Sequence, residues 1–218
     1  FNANPAVSDG GALYNIGSIN TIGGRFTNNK AANKGGAVYN TGKLDKIANA
    51  LFSSNSTTAD NGMGGAIYNS QASNKLTVEE TNFNSNKSAN GGAIATDGAL
   101  DITNSTFTQN SASGNGGAIY NIKNTTNINS STFTSNSAVN GGAVANDSTI
   151  NISNSKFNDN SASANGGAVY NKGNLTVTDS EFTNNSAVKG GAIYSEGGTV
   201  NINAQNKNIT FSGNTAEK

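Results

Sequence analysis

The sequence predicts an all-β fold, a single-stranded parallel β-helix of about 25 residues per coil and 8–9 coils, in one domain covering residues 1–218. Three observations predict it. Two short phrases alternate strictly along the whole chain. A period-2 apolar pattern leads into one of them. No stretch carries the 3.6-residue period of a helix or the capping box that would start one.

The first phrase is Gly-Gly-Ala followed by an aliphatic residue, with its first glycine at 10, 35, 64, 91, 116, 141, 166 and 190. The second is Phe-x-x-Asn, with Phe at 1, 26, 52, 83, 107, 133, 157, 182 and 211. All nine phenylalanines fall in the second phrase, and all six tyrosines fall two residues after the alanine of the first. Usage this complete makes the repeat the unit of structure. A unit of this length is too short for a propeller blade and lacks the helix of a leucine-rich repeat. It suits one coil of a β-helix, in which equivalent residues stack at ~4.8 Å and the whole rod is on the order of 40 Å long.

Each element follows from its own residues. "GGAIYN" is short and rich in β-branched and aromatic types, and reads as a strand entered through a tight glycine corner. "LDITNSTF" (100–107), "INISNSKF" (150–157) and "LTVTDSEF" (175–182) alternate apolar and polar residues, so they read as strand with one face inward. Residues just before Phe are mixed and mostly polar (Arg25, Leu51, Asn82, Thr106, Thr132, Lys156, Glu181, Thr210). That column faces water, which turns Phe26, Phe52, Phe83, Phe107, Phe133, Phe157, Phe182 and Phe211 into an interior ladder. Each ring would bury apolar surface worth about 2–3 kcal/mol. Serines 105, 131, 155 and 180, two before Phe, are expected to be small to leave room for the ring. Asn29, Asn55, Asn86, Asn110, Asn136, Asn160, Asn185 and Asn214 sit at a corner, where asparagine tolerates left-handed backbone. Stacked amides there can donate to one neighbouring coil and accept from the other. A second amide column follows the tyrosines: Asn15, Asn40, Asn69, Asn121, Asn146 and Asn171, with Thr96 and Ser195 as exceptions.

Composition narrows the function. Only 33% of residues are hydrophobic and 12% charged, which resembles a disordered chain, but zero net charge and a single proline do not. Zero net charge also argues against nucleic acid and anionic membrane as partners. With no cysteine there are no disulfides or thiolate sites, and with no histidine no imidazole chemistry. No apolar run is long enough to insert in a bilayer as a helix. The chain opens inside a repeat and stops just short of another Gly-Gly, so it is expected to be an internal piece of a longer stalk or a filament-forming unit.

Gly-Gly-Ala-[Ile/Leu/Val] alternating with Phe-x-x-Asn resembles the polymorphic outer membrane protein repeat of autotransporter passenger domains, and the resemblance runs the length of the chain. It implies a right-handed parallel β-helix that is secreted or on the cell surface, with adhesion as the usual role. The family's C-terminal translocator barrel has no counterpart in these residues.

A carbohydrate-active enzyme of the pectate-lyase-like β-helix type needs converging carboxylates. Asp97 and Asp147 share a column but lie two coils apart; Asp45, Asp101, Asp159 and Asp179 fall in different columns; Glu79 and Glu80 point opposite ways; Arg25 is the single arginine. No catalytic residue, cofactor or metal is therefore assigned. Solenoid calcium sites need repeated Asp where this chain repeats Asn. Ice binding needs unbroken Thr-x-Thr arrays, and "TFT" at 106–108 and 132–134 gives way to "KFN" and "EFT". Lys156 and Glu181 should pair across one exposed column.

The remaining candidate for a ligand or partner surface is the row Tyr14, Tyr39, Tyr68, Tyr120, Tyr170 and Tyr194, interrupted by Ala95 and Ala145. Strict alternation puts these tyrosines opposite the buried aliphatics, as an outer stripe that could stack on glycans or pack on a partner. The competing reading folds each ring over the corner to cover the core. Non-enzymatic attachment to a host or neighbouring cell-surface protein or glycan is the expected function. The alternatives are the enzyme above and an architectural extracellular filament built by end-to-end or lateral self-association.

Overall fold

A computed structural model describes residues 1–70 and 75–217. It is a parallel β-solenoid, with no helix among the described residues. A middle coil shows the unit: Ile119–Asn121, Thr125–Asn129, Thr132–Thr134 and Ser137–Asn140 follow one another as four short strands. Each pairs in parallel with its equivalents one lap before and one lap after. The result is three long sheets, of eight, fourteen and nine strands. The first carries the Tyr positions. The second carries both the alternating strands and the Phe strands, which Lys43–Ser53 joins into one continuous run. The third carries a two- to five-residue Ser-Ala segment that was not foreseen; two residues are too few to show alternation.

Register is set by the repeat. Phe26, Phe52, Phe83, Phe107, Phe133, Phe157 and Phe182 each pair with the Phe of the next coil, ending at Phe211. Uneven spacing is taken up by loops, so the 31-residue step from Phe52 to Phe83 leaves the column straight. The seven rings from Phe26 to Phe182 are fully buried, whereas Phe211, on the last coil, is half exposed. Neighbouring rings are nearly parallel, tilted 1–9°, with centroids 4.6–5.1 Å apart. That separation exceeds a face-to-face contact of ~3.5 Å, so the rings are offset, the stacking their quadrupoles favour. Around them the aliphatic pairs Leu100/Ile102, Ile150/Ile152 and Leu175/Val177 close the interior as expected. The exception is Thr126, which sits in register between Leu100 and Ile150 with its buried hydroxyl unpartnered.

Three columns turn the corners. The residue two after Phe (Asn28, Ser54, Ser85, Gln109, Ser135, Asp159, Asn184) has φ of +55° to +57°. The residue three before Phe (Asn49, Glu80, Asn104, Ser130, Asn154, Asp179) has φ of +48° to +51°. Left-handed backbone therefore falls one residue ahead of the corner asparagine, not on it. The outward residue takes the strain, which leaves Asn free to point inward. The third corner is the glycine pair, and its two members do different work. Gly116 has φ +66°, whereas at Gly117 a Cβ would come within 2.0 Å of the Gly142 carbonyl oxygen. The first glycine is needed for conformation and the second for the close approach of the next coil.

Truncating one ring removes two stacks and leaves a void that neighbouring coils cannot fill. Phe133→Ala should cost about 3–5 kcal/mol in chemical denaturation, against less than about 0.5 kcal/mol for the partly exposed Thr132→Ala.

Candidate functional surface

The buried polar residues come first, because they determine which groups are left over for binding. At the corner, Asn110 uses its whole side-chain amide. Its Oδ1 accepts from the Asn86 side chain (3.0 Å) and the Asn86 backbone N–H (3.0 Å), and its Nδ2 donates to Asn136 Oδ1 (3.0 Å) and the Phe83 carbonyl (3.0 Å). The same Nδ2-to-Oδ1 link joins Asn29, Asn55, Asn86, Asn110, Asn136, Asn160, Asn185 and Asn214 without a break. This column is internal wiring, with no group left for a ligand.

The column after the tyrosines is wired the same way but interrupted. Asn15 donates to Asn40 and Asn40 to Asn69, each at 2.7 Å; Asn121 donates to Asn146 and Asn146 to Asn171, again at 2.7 Å. Between them stands Thr96, whose hydroxyl is engaged with the Gly98 backbone. Asn69 Nδ2 and Asn121 Oδ1 face this gap, buried and without partners.

Two further ladders went unforeseen. Ser105, Ser131, Ser155 and Ser180 each accept from a backbone N–H of the preceding coil at 3.1–3.2 Å and donate to the carbonyl two residues back. These serines are therefore buried connectors as well as small residues. Asn90, Asn115, Asn140 and Asn165 form a third amide ladder just before the Gly-Gly pairs. Its signal, the recurring Asn-Gly-Gly-Ala, was legible in the sequence.

The tyrosines do not form a uniform stripe. Tyr68 and Tyr170 are buried, Tyr39, Tyr120 and Tyr194 are half-buried, and Tyr14 is 52% exposed. Ala95 and Ala145 lie in register after Tyr68 and Tyr120 and are fully covered. The Tyr68 hydroxyl donates to Asp97 (2.7 Å), that of Tyr120 to Asp147 (2.5 Å) and that of Tyr170 to Glu196. Asp97 and Asp147 thus occur on the two coils that lack a tyrosine, two residues after the alanine. A ring leans across each gap and finds its acceptor there. Burial, reinforced by these carboxylates, raises the pKa of Tyr68, Tyr120 and Tyr170 above the ordinary phenol value. Cations sit against the same face: Lys34 Nζ is 4.5 Å from the Tyr68 ring centre and Lys172 Nζ 5.5 Å from that of Tyr170.

On the Phe sheet the outer columns are polar and paired along the axis. Lys46–Glu79 and Lys75–Asp101 close at 2.7 Å and Lys156–Glu181 at 3.1 Å, all at solvent-accessible or half-buried positions where such pairs contribute little. Asp179 is engaged in structure, accepting from the Gln205 backbone N–H at 2.7 Å, and this bond lowers its pKa below the ordinary carboxylate value. Among the described residues no three His, Cys, Asp or Glu converge on a metal position. No helix in them is long and apolar enough to cross a membrane.

Geometry and pattern together define a solenoid whose coils stack on copies of themselves. The chain is similar to the Chlamydia polymorphic membrane protein (Chlamydia_PMP) repeat, whose family model matches at residues 24–41, 104–122, 154–172 and 179–196. No curated protein and no solved structure matches the chain.

Two outcomes follow. Thr96→Asn should join the two halves of the broken ladder and stabilise the fold by about 1–3 kcal/mol, read as a raised melting temperature. The phenols are held neutral in the folded state, so their stability contribution is complete below their unfolded ionisation near pH 10 and is lost as pH rises above it. An alkaline melt should fall from about pH 10 upward, and less steeply in Tyr120→Phe.

Proposed function

We propose that this chain is a stretch of a non-enzymatic, secreted or cell-surface rod that attaches to a host or neighbouring cell-surface protein or glycan through its outer columns. The observation that carries this reading is a division of labour. The interior repeats coil after coil in Phe, Asn and Ser. The column beside each Phe changes at almost every lap, from Arg25 and Leu51 through Asn82 and Thr106 to Lys156 and Glu181. A constant spine under a varied exterior suits a scaffold for display. The membrane-protein repeat supports placement at a cell surface. Carboxylates spent on tyrosines, lysines and a loop support presentation rather than turnover.

Beads coated with the chain should attach saturably to cells or to a glycan array, soluble chain should compete, and no polysaccharide in a panel should gain reducing ends. Cleavage of any polysaccharide would replace this reading with the enzymatic one. Fibres in electron micrographs, with no attachment to any surface, would replace it with the architectural filament.

A further inference from the structure

The column just ahead of the Gly-Gly pairs changes character along the rod. In the middle coils it is the amide ladder of Asn90, Asn115, Asn140 and Asn165, closed on itself. In the first three coils the same position holds Asp9, Lys34 and Met63. The neighbouring tyrosine column changes at the same place: Tyr14, Tyr39 and Tyr68 follow one another with no alanine between them. The third coil also carries extra residues ahead of its glycine pair, where Gly62 N–H donates to the Ala59 carbonyl at 2.9 Å and closes a turn.

Together these departures enclose a cleft of about 350 Å³ spanning three successive coils, lined by Asp9, Asn33, Lys34, Tyr39, Asn61 and Met63. The volume lies at the small end of ligand pockets. Its groups are mixed in a specific way. Lys34 forms no ion pair among the described residues and rests over the Tyr68 ring. Asp9 Oδ2 accepts from Ser8, while Asp9 Oδ1 is enclosed and has no donor. An enclosed acceptor without a donor is costly, and an entering hydroxyl would relieve it.

We propose that this cleft binds one neutral hexopyranose unit. The Tyr39 ring is packed between Tyr14 (centroids 4.7 Å apart) and Tyr68 (5.6 Å), so the sugar's ring C–H groups would meet the Met63 side chain and the part of Tyr39 that lines the cleft, and its hydroxyls would meet Asp9, Lys34, Asn33 and Asn61. An anion would meet the Asp9 carboxylate, a cation would meet the Lys34 ammonium, and an apolar ligand would strand four polar groups. A ring with hydroxyls on its rim and C–H on its faces satisfies the whole set. This deepens the attachment reading above and rests on it.

The probes are the methyl glycosides of glucose, galactose and mannose, with N-acetylglucosamine, titrated into the purified chain by calorimetry and saturation-transfer NMR. At least one should bind on the order of millimolar, as small uncharged ligands do. Asp9→Ala and Tyr39→Ala should each weaken it by about tenfold, the loss expected when a partner of a polar ligand is removed. Tyr194→Ala, on a distant coil, should leave it unchanged, with circular dichroism confirming that each variant is folded. Three results would overturn the proposal: no saturable binding of any sugar, equal weakening in Tyr194→Ala, or tighter binding of acetate or of a lysine peptide. Bead attachment is scored separately. Attachment without sugar binding overturns the cleft and leaves the surface reading standing; sugar binding confined to the cleft without attachment does the reverse.

Discussion

One constraint governs this molecule: residues of the repeated strands lie over their equivalents one lap away, held there by parallel backbone hydrogen bonds. A side chain is therefore selected for compatibility with copies of itself. Benzyl rings satisfy this by offset stacking, amides because each carries both donor and acceptor, and serine because its hydroxyl accepts from one coil while donating within its own. Charge does not satisfy it. Like charges at ~4.8 Å would repel by about 1–3 kcal/mol even with substantial solvent screening. Among the paired strand residues no cation stacks on a cation and no carboxylate on a carboxylate. Where two charges do meet in register they are opposite, as at Lys156 and Glu181. The low charge content and zero net charge thus follow from the architecture, and no ligand is needed to explain them.

The same constraint explains how a chain only one-third hydrophobic holds a core. Polar ladders carry much of what a larger apolar interior would carry elsewhere. They work only when complete, because each amide depends on the next for its partner. The corner column is unbroken and wholly buried down to Asn185. The column beside the tyrosines holds a hydroxyl in place of an amide at Thr96 and at Ser195; Ser195 still accepts from Asn171, but the exchange at Thr96 leaves a donor on one side and an acceptor on the other with nothing to bond. A buried ladder is a cooperative object, and a local change in it is felt by the two adjoining coils.

What the sequence made legible and what it hid divide along a physical line. Period and register were readable because Phe occurs only in Phe-x-x-Asn and Gly-Gly-Ala recurs once in every lap, and both are costly to misplace. The inward ring, the aliphatic pairs and the corner amides followed from alternation. The Ser-Ala strand was hidden because two residues carry no period. The left-handed corner was misplaced by one residue because asparagine's preference for that conformation competed with its usefulness as a stacking amide, and stacking won: at the corner Ser85, Gln109 and Ser135 take the positive φ instead. The tyrosine partners were hidden for a different reason. Tyr68 and Asp97, or Tyr120 and Asp147, are meaningful only as pairs across a lap, and reading one column at a time separates them.

A repeat protein's regular positions report on its fold, so its exceptions are where anything else must be recorded. Most exceptions here are absorbed by the scaffold. Ala95 and Ala145 make room for the preceding ring, and Asp97 and Asp147 accept its hydroxyl. Longer laps bulge into loops without disturbing the Phe column. The first three coils differ because their exceptions coincide and do not cancel. A ladder column loses its amides to Asp9, Lys34 and Met63, tyrosine runs uninterrupted beside it, and a lap lengthens at the same place. An acidic group, a basic group and a thioether cannot form the self-complementary column that the other coils form. They leave hydrogen-bonding capacity facing outward, in a cleft that the regular coils have no means to build.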